Sequence, residues 1–419
     1  MPVAGRYSAW NLLVQGIRGQ TGWRPAWRSP QPQRDYDAIV VGGGGHGLAT
    51  AYYLAKNHGM SRVAVLERGW IGGGNTGRNT TVIRSNYFYP ESVELYDLSL
   101  RLYEGLSREL NFNIMLSQRG VAIVAHSDME MDIVSRTVNA MQINGVDARM
   151  MNRDEVLARI PLLNQSSRAR YPVRGAIWQG RAGVARHDAV AWGYARAADA
   201  LGVDIIQGCK VEEFIVQAGR CVGVETSLGP IRAAVTGLAV AGQANVLAAK
   251  AGFRLPLQAF TLQAMVSEPV KPCLDVVVLY LGTGTYLSQS DHGEIVVGGA
   301  LDRVPSYAQR GNPPVQEQVL SGMLEMLPAL SHLKLLRQWG GTVDVVPDSS
   351  PIIGPAPLPG LFLNCGWGTG GFKAIPAGGT LFAHLLATGA HHAISRPFDL
   401  ARFARGGLID EAASAGIAH

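Results

Sequence analysis

Residues 36–67 read YDAIVVGGGGHGLATAYYLAKNHGMSRVAVLE. Positions 37–42 (DAIVVG) form a short apolar run, suited to a parallel strand covered on both faces. Positions 46–57 have helical spacing, with Leu48, Ala51, Tyr52, Leu54 and Ala55 available for one face. Positions 62–67 (RVAVLE) read as a second buried strand. Strand, helix and strand within about thirty residues make one β-α-β unit. Gly42, Gly44 and Gly47 supply GxGxxG spacing at its turn, with Gly45 and His46 between them. Gly42 permits the tight turn, Gly44 lets the backbone approach a pyrophosphate, and Gly47 lets helix and strand pack closely. The helix N-terminus attracts the pyrophosphate charge, and Glu67 is placed to accept from a ribose. The unit predicts dinucleotide binding. A purely structural glycine turn is the competing reading.

FAD and NAD both use such a unit, and a distant segment favours FAD. Gly366-Trp367-Gly368-Thr369-Gly370-Gly371-Phe372-Lys373 is a second glycine loop before a helix. Its backbone N–H groups could approach another part of a long cofactor. Gly368, Gly371 and Lys373 are its candidate contacts. Between the two loops lies GGGNTGRNTTVIR, residues 72–84. Gly74, Asn75, Arg78, Asn79, Thr80, Thr81 and Ile83 are nominated there for phosphate or the flavin edge. Arg68, Val211 and Gly242 complete the nominated set. Arg84 and Lys373 are the cations expected over the ring, a bidentate fork and a point charge for a substrate carboxylate. Taken singly, each is more often a solvated surface charge.

Farther along, residues 96–111, 128–143, 153–160, 315–334 and 374–388 read as helices. Residues 188–201 read as a helix capped by Asp188. Strands are expected at 119–125 and 361–365 and through 257–300, with an antiparallel meander over 204–240. Nucleotide signals thus lie at both ends, with sheet-rich stretches between. The fold class expected is α/β (α+β), a discontinuous Rossmann-like FAD-binding domain with an inserted antiparallel-sheet substrate domain. The boundaries expected are 1–35 for an N-terminal extension, 36–115 with 180–253 and 343–405 for the FAD domain, 116–179 with 254–342 for the substrate domain, and 406–419 for a tail.

Composition bounds the function. The 419 residues are 47% hydrophobic and 16% charged, with net charge +5. A surface short of charge fits either partner contacts or a large core. No Lys/Arg run interleaves with aromatics, so nucleic acid is not expected. No apolar run reaches the ~18 to 20 residues of a membrane span. Cys209, Cys221, Cys273 and Cys365 form no CxxC. No metal site or disulfide framework is expected, and the compartment expected is the cytoplasm. The first 34 residues carry Arg6, Arg18, Arg24, Arg28 and Arg34 and no acid. They read as an arm that packs on a partner through Trp10, Trp23 and Trp27, with ordered structure starting at Tyr36. A transit peptide and a mostly disordered arm are the alternatives.

Four ordered segments carry a resemblance: YDAIVVGGGGHGLATAYYLAKNHG, GGGNTGRNTTVIRSNY, RAGVARHDAVAW and NCGWGTGGFKAIP. Together they resemble the beta subunits of heterotetrameric sarcosine oxidases, from about residue 36 to the C-terminus. The resemblance implies a fold like that of the D-amino-acid oxidase group. It implies non-covalent FAD here, and alpha, gamma and delta subunits as partners. It implies FMN at the interface with alpha, attached covalently to His187, the histidine of ARHD. From spacing alone His187 is only a residue before a helix. The implied reaction is oxidation of sarcosine, with its carboxylate on Arg84 and Lys373. Electrons pass to FMN and O2, giving hydrogen peroxide. The methyl carbon reaches tetrahydrofolate on a partner as 5,10-methylenetetrahydrofolate, leaving glycine. A single-flavin amino-acid dehydrogenase or dimethylglycine-type oxidase is the first alternative. A non-catalytic electron-relay subunit is the second.

Overall fold

The computed structural model describes residues 8–22, 25–302 and 304–411. The strand Asp35–Val41, the helix Gly45–His58 and the strand Val63–Glu67 form as the sequence predicts. Asp35–Val41 lies at the centre of the first sheet. Its order is Ile352–Pro355, Leu361–Cys365, Gly229–Leu238, Asp35–Val41, Val63–Glu67, Asp204–Gln207. All these neighbours run parallel except the first pair. The meander Val211–Gln217, Arg220–Thr226 hangs antiparallel from Gly229–Leu238. Ala38 and Val40 join the core on the helix side, while Ile39 and Val41 join the core on the other face. Alternate side chains point to opposite faces, and both faces are covered, so the strand reads as an unbroken apolar run.

The second sheet runs Leu335–Val345, Gln258–Pro269, Glu294–Leu301, Tyr286–Gln289, Val277–Tyr280, Val121–Ala125, Gly175–Gln179, Ala148–Asn152. Its pairs are antiparallel except Val121–Ala125 with Val277–Tyr280. The mixed architecture is the α/β (α+β) arrangement that the sequence implies.

Several elements differ from expectation. The helix expected over 315–334 runs Pro313–Met326 and stops at Leu327, φ −131° and ψ 74°. Pro328 disfavours helical geometry in the residue before it. A 3-10 turn Pro328–Leu330 follows, and Leu335–Val345 is a long strand that the sequence reading missed. The helix expected from 96 begins at Pro90, where proline suits the first turn. Asp188 is not a cap. The helix runs His187–Ala200 after Arg186, and Asp188 Oδ1 accepts from Ala189 N at 2.8 Å.

The N-terminal arm is also corrected. Ala9–Ile17 is a helix, capped by the Ser8 side chain on Asn11 N. Trp10 on it is 74% exposed, as a partner anchor would be. Trp27 instead packs against this chain's own core. Arg28 donates to Asp199 Oδ1 at 2.8 Å and pairs with Asp204 at 3.3 Å. Trp23, Arg6 and Arg24 lie outside the described residues.

Candidate active site

The first glycine loop is built as its spacing demands. Gly42 has φ 109°, and a Cβ there would lie 2.3 Å from Ala239 O. A Cβ on Gly47 would lie 1.9 Å from Gly42 O. Gly47→Ala should therefore break the turn rather than merely crowd it. Overpacking of this kind costs about 1–3 kcal/mol or more. We expect purified Gly47→Ala protein to carry little FAD and to melt earlier, read by absorbance and calorimetry. A fully flavin-loaded variant would show that the turn has room.

Backbone donors of this loop are already engaged in part. Gly43 N donates to Glu67 Oε2 at 2.8 Å, and Gly69 N donates to Glu67 Oε1 at 2.7 Å. An ionised carboxylate has about four lone-pair positions, so Glu67 keeps capacity for ribose hydroxyls. Gly45 N, at the helix N-terminus, donates to Thr76 Oγ1 at 3.0 Å.

The second loop lies against the first. His46 Nε2 is 2.8 Å from Gly371 O. A carbonyl only accepts, so Nε2 carries the proton and Nδ1 is left as an acceptor. Nδ1 is buried with no partner among the described residues. Burial pushes the His46 pKa down to about 4, which keeps the ring neutral. Trp367 stacks on His46 at 4.5 Å between ring centroids, and Trp367 Nε1 donates to Asn364 Oδ1 at 2.7 Å. Asp344, at the end of Leu335–Val345, accepts from Gly366 N, and its main-chain oxygen accepts from Gly368 N at 3.0 Å. Burial lifts the Asp344 pKa to about 6 against the pull of these backbone donors.

Both loops line one cleft. Gly42, Gly44, Gly45, His46, Glu67 and Arg68 lie along one side. Gly74, Asn75, Arg78, Asn79 and Thr80 form another wall. Asn75 Nδ2 donates to Thr342 O at 2.6 Å, and Arg78 donates to Gly74 O at 2.9 Å. Val211, Gly242, Gly368 and Gly371 complete this part of the lining. Gly47, Thr81, Ile83 and His187 stand outside it. Thr81, at φ 70°, accepts through its carbonyl from Ala185 N at 3.1 Å, and Ile83 is buried opposite Gly183.

Arg84 and Lys373 meet in this cleft, 4% and 6% exposed. They are not the solvated charges that single cations usually are. Arg84 Nη1 donates to Asn86 Oδ1 at 2.8 Å, and its guanidinium lies 5.0 Å over the Tyr87 ring. Lys373 Nζ donates to Thr369 O at 3.1 Å. Burial, and then the Arg84 charge, hold the Lys373 pKa well below its usual value. Leu262, Leu279, Tyr286 and Phe372 supply an apolar wall. Two neighbouring buried cations above such a wall suit a small carboxylate.

FAD passes a fit test on this chain's own atoms. A side chain at Gly42, Gly45 or Gly47 would collide with neighbouring atoms, both glycine loops face the same cleft, and Thr342 Oγ1 on its lining is buried without a partner among the described residues. Thr76, Thr342, Asp344 and Trp367 were missed by the sequence reading. Only Trp367, an aromatic inside a glycine run, carried a local signal.

His187 opens its helix with Nδ1 buried and without a partner among the described residues. Burial lowers its pKa, and Asp188 opposes this while Arg186 adds to it. A neutral ring with a bare nitrogen fits a covalently attached group. No group of three or more metal-ligating side chains occurs among the described residues. No helix among them is long and apolar enough to cross a membrane.

Comparison with known proteins agrees with this geometry. The model of the DAO family, FAD dependent oxidoreductases, matches residues 37–385. The chain is 50% identical to the sarcosine oxidase subunit beta of Rhodobacter capsulatus, over 99% of this chain and 100% of that one. It is 52% identical to the subunit of the same name from Rhizobium meliloti, over 97% of each. Among solved structures it resembles L-proline dehydrogenase from P. horikoshii, with TM-score 0.84 and 28% identity over 90% of this chain and 100% of that one.

Proposed function

The chain belongs to the FAD dependent oxidoreductases, and within them to the sarcosine oxidase beta subunits, and from that premise we propose that it is the flavin subunit that oxidises sarcosine in a complex with alpha, gamma and delta subunits. The observation that carries the reading is the pair Arg84 and Lys373, buried together in the cleft that both glycine loops line.

In this reading the glycine-loop helix and Thr76 hold the FAD pyrophosphate, Glu67 holds the adenosine ribose, and the cofactor stays non-covalent. His187 carries FMN. The bound flavins supply the two-electron oxidation of the N-methyl amine and the return of those electrons to O2. The protein orients and tunes. Arg84 and Lys373 grip the carboxylate, which aims the N-methyl group. Their charges disfavour a protonated amine nitrogen beside them, so the free amine with its lone pair is the form bound. Leu262, Leu279, Tyr286 and Phe372 keep water from the reacting carbon. The products are glycine, hydrogen peroxide and, with tetrahydrofolate on a partner subunit, 5,10-methylenetetrahydrofolate.

The likeness to L-proline dehydrogenase favours a second reading, a single-flavin amino-acid dehydrogenase of the same fold. Anaerobic sarcosine should bleach the flavin absorbance of the purified complex. Acid precipitation should then release one flavin as FAD and leave one on the peptide. Bleaching with all flavin released would favour the dehydrogenase. No bleaching would remove sarcosine as the substrate.

A further inference from the structure

Residues 402–411 form a C-terminal strap that reaches the turn following Arg84. Arg402 is 2% exposed, and its guanidinium forks onto both oxygens of Asp348 at 2.8 and 2.9 Å. Ser350 Oγ donates to Ile409 O at 2.8 Å, and Glu411 N donates to Asp348 O at 3.2 Å. These bonds deliver Glu411, itself 1% exposed. Its Oε1 accepts from Tyr89 N at 3.0 Å and its Oε2 from Phe88 N at 3.3 Å. The two partners lie 322 residues apart in sequence for the Tyr89 bond.

Tyr89 immediately precedes the helix Pro90–Glu109 and gives it no side-chain cap. A carboxylate at a helix entrance is favourable there, because it faces the positive end of the helix and meets N–H groups that lack other partners. The same turn orients Arg84. Arg84 is bonded to Asn86 and covered by Tyr87, and Tyr87 stacks on Tyr96 of the helix at 3.7 Å and 7°. Tyr96 Oη in turn lies 2.1 Å from where a Cβ on Gly370 would sit, in the loop that leads to Lys373. Both cations therefore depend on how residues 84–89 join the helix. The helix has other anchors, since Ser99 Oγ donates to Lys373 O and Tyr103 Oη to Phe372 O, both at 2.7 Å. Loss of Glu411 should loosen the turn and spare the helix.

We propose that Glu411 is a positioning residue for the carboxylate clamp, tying the C-terminal strap to the turn that aims Arg84. The proposal rests on the reading of Arg84 and Lys373 as the clamp. It deepens that reading by giving the last described residue of the chain a part in substrate affinity.

The test uses the flavin-loaded complex. Glu411→Ala should raise the sarcosine KM about tenfold, the scale of one lost helix cap. Turnover at saturation should fall less than KM rises, because both clamp residues remain and only the turn that holds Arg84 is loosened. FAD content should match the wild type, and the amides of residues 86–89 should exchange faster. Glu411→Gln keeps one acceptor oxygen and should fall between the two. An unchanged KM in Glu411→Ala overturns the proposal, even where the maximal rate falls in proportion to lost FAD. If Glu411→Ala does not load FAD, Glu411→Gln decides alone, and a wild-type KM in it counts against the proposal. A wild type that leaves sarcosine untouched sinks the functional reading instead. Amide exchange at 86–89 then still decides whether Glu411 holds the turn.

Discussion

Lys373→Met should weaken sarcosine binding between about tenfold and a hundredfold, the range for losing a charge-assisted hydrogen bond of roughly 1.5–3 kcal/mol. The loss should appear in KM and in the rate of anaerobic flavin bleaching. Stability should not suffer, because the ammonium is buried and methionine fills a similar space. Acetate, a carboxylate without an amine, isolates the effect of pH. Lysine attracts an anion by charge only in its protonated form, which predominates below its pKa. Burial and Arg84 depress that pKa in Lys373. Acetate affinity should therefore fall as pH rises through the lowered pKa, well before an ordinary lysine would titrate. In Lys373→Met this pH dependence should vanish. An unchanged KM, or a pH dependence that survives the substitution, would take Lys373 out of the clamp.

His187→Ala should abolish covalent flavin while leaving FAD in the cleft. The residue stands outside the cleft lining, so its loss removes no cofactor contact there. Its ring is desolvated, its pKa is lowered and its Nδ1 is bare. A neutral imidazole nitrogen is a nucleophile, and the protonated form is not. Peptide mapping after acid precipitation checks the outcome. Flavin that stays on the peptide in the variant would put the attachment elsewhere. Oxidation by O2 should slow sharply even where anaerobic bleaching of FAD persists.

The β-α-β unit was legible because each of its rules is local. Glycine spacing, a buried strand run and a terminal acid all fall within one short window. Lys373 and Arg84 were found as neighbours of glycine-rich loops, and the fold then brought them together. What stayed hidden depended on distant partners. The strand Leu335–Val345 contains Gln338, Gly340 and Gly341, which weaken any alternating pattern. It holds its shape by pairing along Gln258–Pro269. Asp344 looks like an ordinary strand acid until the second glycine loop folds onto it. Glu411 has no motif around it, and its carboxylate accepts from two backbone amides far away in sequence. The misjudged helix over 315–334 had a visible warning in Pro328, whose effect on Leu327 outweighed the apolar spacing beyond it.

The parallel pairing of Asp35–Val41 with Gly229–Leu238, and of Gly229–Leu238 with Leu361–Cys365, also sets a timetable for synthesis. The first strand leaves the ribosome long before either of its later neighbours exists. Such distant pairings close slowly and leave apolar edges waiting. Half of the nucleotide cradle is thus translated early and stays incomplete until nearly the whole chain has emerged. Flavin capture becomes a late event in biogenesis. A chain truncated before residue 361 would lack the strand that leads into the second glycine loop, and would present unsatisfied sheet edges to chaperones and proteases instead.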